Sequence, residues 1–159
     1  MAQTIFTVGH NSLTFMQFIT LIQVNNITHI VDIRSIPYSK HAPWSDKSRL
    51  SELLRPFKIK YTYLGHKLGG KKSNVQVITG LSITSLDLYN QGIQILLELS
   101  MHDSLTLLCA EGDPAKCHRQ HIIAQTLLNS GAKVLHILKD GTTIVAWNEE
   151  KPSVQPQLF

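Results

Sequence analysis

Apolar residues occur in two patterns along the chain, as short continuous runs and as repeats at helical spacing. The runs predict strands, and the repeats, with apolar residues three and four positions apart, predict helices. The strands fall at residues 4–8, 28–33, 59–64, 105–109, 132–138 and 142–147, and the helices at 14–24, 48–57, 86–100 and 117–131. Thr14 and Gln17 fit a capping box at the start of the first helix, and Gly131 ends the last helix.

The order of these elements predicts the fold class. Strands that alternate with helices are typical of an α/β protein whose mostly parallel sheet is covered on both faces. The turn signal at Asp140-Gly141 predicts that the last strand forms an antiparallel edge. We therefore expect one three-layer domain over residues 1–147 and a loosely held tail over 148–159, while residues 72–84 remain unassigned.

Composition narrows the class of protein. The 159 residues are 43% hydrophobic and 16% charged, an ordinary balance for a globular domain. No apolar run approaches the ~20 residues that a membrane helix needs, and residues 1–10 lack the pattern of a secretion signal. We expect a cytoplasmic protein without membrane contact, in which Cys109 and Cys117 form no disulfide.

Four polar loops follow predicted strands. They read GHNS at 9–12, DIRS at 32–35, LGHKLGG at 64–70 and CAEGDPAKCHR at 109–119. Ligands of open parallel sheets bind beyond the carboxyl ends of the strands. We therefore expect the four loops to meet, with His10, Asp32, Arg34 and Glu111 around one pocket.

The stretch 109–119 admits several kinds of chemistry. A metal site could use Cys109, Glu111, Cys117, His118 and His121. Structural zinc normally shows two clusters of ligands, and the sequence contains only one. We therefore expect no metal and no other cofactor. A thiol nucleophile could gain acidity from a helix start and an arginine. A helix start could also bind an anion. A purely structural loop, capped by Asp113, is the remaining alternative.

The charge favours anionic partners. The formal net charge is +4, with an isoelectric point near 9.1. A basic region with interspersed aromatic residues lies between Lys40 and Lys72. It could follow a phosphate backbone, or form an ordinary solvated face.

Taken together, the motifs resemble a known family. The segments TVGHNS, VDIRSIPYS, YTYLGHKLGG, LLCAEGDPAKCHRQHIIAQTLL and VLHIL, between Thr4 and Leu138, are similar in order and spacing to the bacterial and archaeal domain of unknown function 488. The resemblance implies an α/β domain with a polar site that includes both cysteines. It implies no particular reaction.

Three functions remain open. The first is an enzyme acting on a nucleotide or nucleic acid, with phosphate held by Arg34 and Arg119. The second is a non-catalytic module that binds the same ligands. The third is a rhodanese-like thiol enzyme of the sulfur-transfer type, with Cys109 or Cys117 as nucleophile. The predicted catalytic residues are His10, Asp32, Glu111 and His118, and the predicted substrate-binding residues are Arg34, Ser35, Cys109, Cys117 and Arg119.

Overall fold

The computed structural model describes residues 3–69 and 83–149. Six strands form one sheet: β1 (Thr4–Gly9), β2 (His29–Asp32), β3 (Lys60–Tyr63), β4 (Leu105–Cys109), β5 (Lys133–Ile137) and β6 (Thr143–Val145). Their order across the sheet is β3-β2-β4-β1-β5-β6. All neighbours are parallel except β5 and β6. The predicted α/β fold with an antiparallel last strand is confirmed.

Five α-helices occur in the described part of the chain. They are α1 (Phe15–Val24), α2 (Lys47–Leu54), α3 (Gly65–Leu68), α4 (Ile83–Leu99) and α5 (Gln125–Asn129). No helix in that part is both long and apolar enough to cross a bilayer. Most of the unassigned segment 72–84 and residues 150–159 of the predicted tail lie outside the described residues.

Two apolar clusters make the domain three-layered. Side chains alternate between the faces of a strand, so Ile30 and Val31 of β2 point to opposite sides of the sheet. Ile30 packs with Phe18 and Leu50 of α1 and α2. Val31 packs with Leu96 of α4 and other residues of the opposite layer. All five residues of β4 are buried, which explains its continuous apolar run.

The first helix begins as its sequence predicts. The Thr14 side chain accepts a hydrogen bond from the backbone N–H of Gln17, and the Gln17 side chain accepts one from the backbone N–H of Thr14. The capping box therefore satisfies two donors that the helix itself cannot pair.

Thr14→Ala is expected to lower the free energy of unfolding by about 1 kcal/mol. Thr20→Ala is the matched control, because Thr20 is exposed within the same helix and its hydroxyl donates only to the Met16 carbonyl. Urea denaturation of both variants measures the difference. Equal losses would show that the cap contributes nothing particular.

The predicted helix at 117–131 is wrong at its start. Pro114–Lys116 form a 3₁₀ turn, Cys117 is extended, and Arg119–Ala124 form a π-helix that continues into α5. The wider turn keeps the consecutive residues Arg119 and Gln120 on the buried side. There Gln120 accepts a hydrogen bond from His136 and donates to the Trp147 carbonyl. Cys117 and His121 therefore do not share one helix face.

Candidate functional site

The loops that follow the strands meet at the carboxyl edge of the sheet. The backbone N–H groups of His10 and Asn11, after β1, donate to the carbonyls of Cys109 and Ala110, after β4. The Tyr63 hydroxyl, at the end of β3, donates to the Arg34 carbonyl after β2. These bonds fix the relative positions of the loops.

Asp32 and Arg34 form a buried ion pair beneath these loops. Arg34 follows the end of β2 by two residues, and its backbone N–H donates to Asp32 Oδ1 at 3.0 Å. Arg34 Nε donates to Asp32 Oδ1 at 2.9 Å, and Arg34 Nη2 donates to Asp32 Oδ2 at 2.7 Å. The Tyr61 hydroxyl donates to the same carboxylate, and burial together with this carboxylate raises the pKa of Tyr61.

The other guanidinium donors of Arg34 are also used. Nη1 donates to Ser45 Oγ at 2.9 Å and to His10 Nε2 at 3.3 Å, and Nη2 donates to the Ser45 carbonyl at 2.7 Å. A guanidinium has five N–H donors. All five therefore have partners within the protein, and Arg34 has none left for a phosphate in this conformation.

His10 lies within this network rather than on the pocket wall. The Arg34 donor makes His10 Nε2 an acceptor, so Nδ1 carries the proton and donates to the Asn11 carbonyl. Burial lowers the pKa of His10 to about 4, and the bond to Asn11 opposes this only in part. His10 is therefore neutral at pH 7, in a fixed tautomer.

Arg119 is fully buried and holds the loop after β4. Its Nη1 and Nη2 donate to the carbonyls of Glu111 and Gly112 at 2.6 and 2.9 Å. Gly9 leaves room for this loop, because a Cβ there would lie 1.8 Å from the Glu111 carbonyl oxygen. Arg119 therefore faces the backbone of the loop, although the sequence had suggested a substrate contact.

A pocket of about 580 Å³ opens between the loops after β2 and β4. Its lining residues are Arg34, Ser35, Ile36, Tyr38, Ser39, Lys40, Cys109, Ala110, Glu111, Lys116, Cys117 and His118. Six of the nine predicted site residues thus line it, and His10, Asp32 and Arg119 do not. The exposed Glu111 accepts a hydrogen bond from the backbone N–H of Asp113.

Cys117 has a polar environment on the wall of this pocket. Its Sγ accepts a hydrogen bond from the backbone N–H of Arg119 at 3.5 Å and lies 3.6 Å from His118 Nδ1. His118 Nε2 lies 3.2 Å from the Leu68 carbonyl oxygen, which can only accept. Nε2 therefore carries a proton, and Nδ1 is the nitrogen that can exchange a proton with Cys117.

Cys109 is the second thiol of this group. It ends β4, and its sulfur lies within 4.8 Å of Cys117 Sγ. The Cys109 thiol, followed by His118 and the Arg119 backbone N–H, lowers the pKa of Cys117 despite burial. Burial, followed by the Cys117 thiol, raises the pKa of Cys109. Cys117 is therefore the more acidic thiol of the pair.

The same group has metal-ligand chemistry. Of the five residues that the sequence suggested for a metal, Cys109, Cys117 and His118 place one ligand atom each within 4.8 Å of one another. His121 is turned away, with its ring nitrogens on the Glu149 carboxylate and the Ala115 carbonyl. Both cysteines are free thiols.

Three lysines of the basic region between Lys40 and Lys72 have partners within the described residues. Lys60 pairs with Asp103, Lys67 donates to Gln91, and Lys47 lies over the Tyr63 ring. Lys40 alone of this region lines the pocket, and Lys71 and Lys72 lie outside the described residues.

Several residues of the site carry no sequence signal of their own. Ser45 and Tyr61 complete the Arg34–Asp32 network, and Lys116 joins Lys40 at the pocket. The Leu68 carbonyl orients His118 from α3. A partner for the strand-end Asp32 could be expected, since a buried carboxylate needs one, but its identity depends on which loops meet.

One comparison with known proteins gives a match. Residues 14–81 match the model of the family described as Domain of unknown function DUF488. No curated protein and no solved structure matches the chain significantly. The matched segment contains Asp32 and Arg34, while Cys109 and Cys117 lie beyond it. The match over residues 14–81 supports the assignment to the DUF488 family that the motifs predict.

Proposed function

We propose that this protein is a thiol enzyme in which Cys117 is the nucleophile, His118 is its proton acceptor and the pocket binds an anionic substrate. The single observation that carries the proposal is the environment of Cys117 Sγ, which lies on the pocket wall between the Arg119 N–H and His118 Nδ1. A nucleophile beside a base that a third group orients is the usual arrangement of covalent catalysis.

The sequence of events follows from these contacts. The Cys117 thiol gives its proton to His118 Nδ1, while the Nε2–H bond to the Leu68 carbonyl holds the ring in place. The thiolate attacks an electrophilic atom of the substrate and forms a covalent Cys117 adduct. His118 then returns the proton to the leaving group.

Two lysine side chains at the pocket support the proposal that the substrate is anionic. Lys40 and Lys116 are exposed at the pocket, and neither ammonium group has a hydrogen-bond or ion-pair partner among the described residues. The Glu111 carboxylate lies on the same lining, so the charge of these three groups is +1. A free ammonium group can attract a carboxylate, sulfonate or phosphate.

The nucleotide-enzyme and binding-module hypotheses receive less support, because both use Arg34 and Arg119 for phosphate. The guanidinium donors of Arg34 are all occupied, and Nη1 and Nη2 of Arg119 bind loop carbonyls. A nucleotide would have to rely on Lys40 and Lys116 instead.

Alkylation by iodoacetamide between pH 5 and 9, mapped by peptide mass spectrometry, tests the nucleophile. Only the thiolate reacts, so the rate rises with pH through the pKa and then levels off. Because the pKa of Cys117 is lowered, the plateau is expected below pH 7. His118→Asn should shift the rise to higher pH and slow the reaction at pH 6 roughly tenfold.

His102→Asn is the matched control, because His102 is exposed before β4, at the opposite edge of the sheet. It should leave the profile unchanged. A native Cys117 that reacts only above pH 8 would overturn the proposal. So would one equivalent of zinc in protein purified under reducing conditions, since the thiols would then be metal ligands.

A further inference from the structure

Cys109 lies directly behind the proposed nucleophile, and the steps described above do not use it as a reactant. Only 2% of Cys109 is exposed, yet its edge reaches the pocket lining. Its sulfur lies within 4.8 Å of Cys117 Sγ. Cys109 contributes to the lowered pKa of Cys117, and its place on the pocket lining also lets it react with a group bound to Cys117.

The two sulfurs are carried by different kinds of backbone, a strand end and a residue that follows a turn. Cys109 ends the central strand β4, where it pairs with Gly9 and its carbonyl accepts from the His10 N–H. Cys117 follows a 3₁₀ turn in an extended conformation. A disulfide needs a sulfur separation near ~2 Å. Because the two sulfurs lie within 4.8 Å of one another, they need to approach by about 3 Å at most to form that bond.

We propose that Cys109 is a resolving thiol and that the pocket carries out thiol–disulfide exchange with a small anionic disulfide. This inference rests on the proposed function, because it needs Cys117 as the nucleophile. The oxidant is the disulfide R–S–S–R, and the protein supplies two electrons.

The exchange has two balanced steps. In the first, the Cys117 thiolate attacks one sulfur of the donor, a Cys117–S–S–R bond forms, and RS⁻ leaves and takes from His118 the proton that Cys117 had given up. In the second, Cys109 attacks Cys117 Sγ, the bond to R breaks, and the second RS⁻ takes the proton that Cys109 gives up. The products are the Cys109–Cys117 disulfide and two RSH.

The pocket favours a disulfide over a hydroperoxide as the oxidant. Its volume of about 580 Å³ is in the range of sites for ligands of drug size, far more than a peroxide fills. Lys40 and Lys116 offer charge partners for the carboxylates of a peptide-sized disulfide. The buried Cys109 thiol lines the same pocket within 4.8 Å of Cys117 Sγ, where it can reach an adduct on Cys117.

The test uses the reduced full-length chain, oxidised glutathione without added thiol, and intact mass spectrometry. The wild type is expected to lose the mass of two hydrogens and to retain no adduct. Cys109→Ser is expected to stop at one glutathione adduct on Cys117, and Cys117→Ser is expected to stay unmodified. These products identify the role of Cys109 independently of any change in rate.

Controls separate charge and folding from resolution. The double variant Lys40→Gln/Lys116→Gln should react roughly tenfold more slowly with oxidised glutathione, and its loss of rate with uncharged hydroxyethyl disulfide should be several-fold smaller. If the melting temperature of Cys109→Ser differs from that of the wild type, the role of Cys109 is tested on the wild-type protein alone. Its proteolytic digest should then contain the 109–117 cross-link.

Three results would overturn the inference. A wild type that keeps the adduct would show that Cys109 does not resolve it. A wild type that iodoacetamide alkylates but oxidised glutathione leaves unmodified would exclude this donor class. Both results would leave the Cys117 nucleophile standing, whereas a Cys117 that also resists iodoacetamide would remove the proposed function itself.

Discussion

Replacing Asp32 by asparagine is expected to lower the free energy of unfolding by about 3–5 kcal/mol. Asp32 is fully buried, and its two oxygens accept hydrogen bonds from Arg34 and Tyr61. An amide in place of Oδ2 would set N–H donors against the Arg34 and Tyr61 donors. It would also leave the Arg34 charge buried without its partner, which is the main cost.

Thermal and urea denaturation measure this effect. For a chain of this size the melting temperature should fall by roughly 6–20 °C. Lys60→Met is the control, because Lys60 pairs with Asp103 while 65% of its side chain is exposed, and such pairs contribute less than ~1 kcal/mol. Similar losses for Asp32→Asn and Lys60→Met would contradict the structural role given to the buried pair.

Replacing Arg119 by methionine is expected to cost about 3–5 kcal/mol, because each hydrogen bond from a charged group contributes ~1.5–3 kcal/mol. The substitution keeps much of the side-chain volume but removes both donors to the Glu111 and Gly112 carbonyls. The loop before Cys117 would lose the contacts that hold it over Gly9. The measurement is urea denaturation.

Substrate binding and loop support by Arg119 predict different results for this variant. If Arg119 bound substrate phosphate, the variant would keep its stability and lose affinity for anions. If Arg119 supports the loop, stability falls, and Arg119→Lys recovers part of it, since one ammonium group can reach one carbonyl. An Arg119→Met protein as stable as the wild type would contradict the structural role.

Asp32 illustrates how much of the site the sequence could predict. A carboxylate at the end of an apolar strand requires a partner, and the sequence offers Arg34, Arg119 or a helix start for it. The sequence did not indicate that Tyr61 would donate to the Asp32 carboxylate. Nor did it indicate that Ser45 and His10 would accept the remaining hydrogen bonds of Arg34. These residues come from separate segments, and only the sheet order brings them together.

The sequence by itself determined the strands, the boundaries of the first helix and the edge of the sheet at which polar loops gather. These features depend on local apolar spacing, on the Thr14 cap and on the common direction of parallel strands, whose carboxyl ends lie at one edge of the sheet. The tertiary structure decided the roles within the site. It turned Arg119 into the interior through a π-helix, and it placed the Cys117 sulfur between Cys109 and His118. Such roles depend on which donors and acceptors the packed loops leave unpaired, and local sequence spacing does not contain that information.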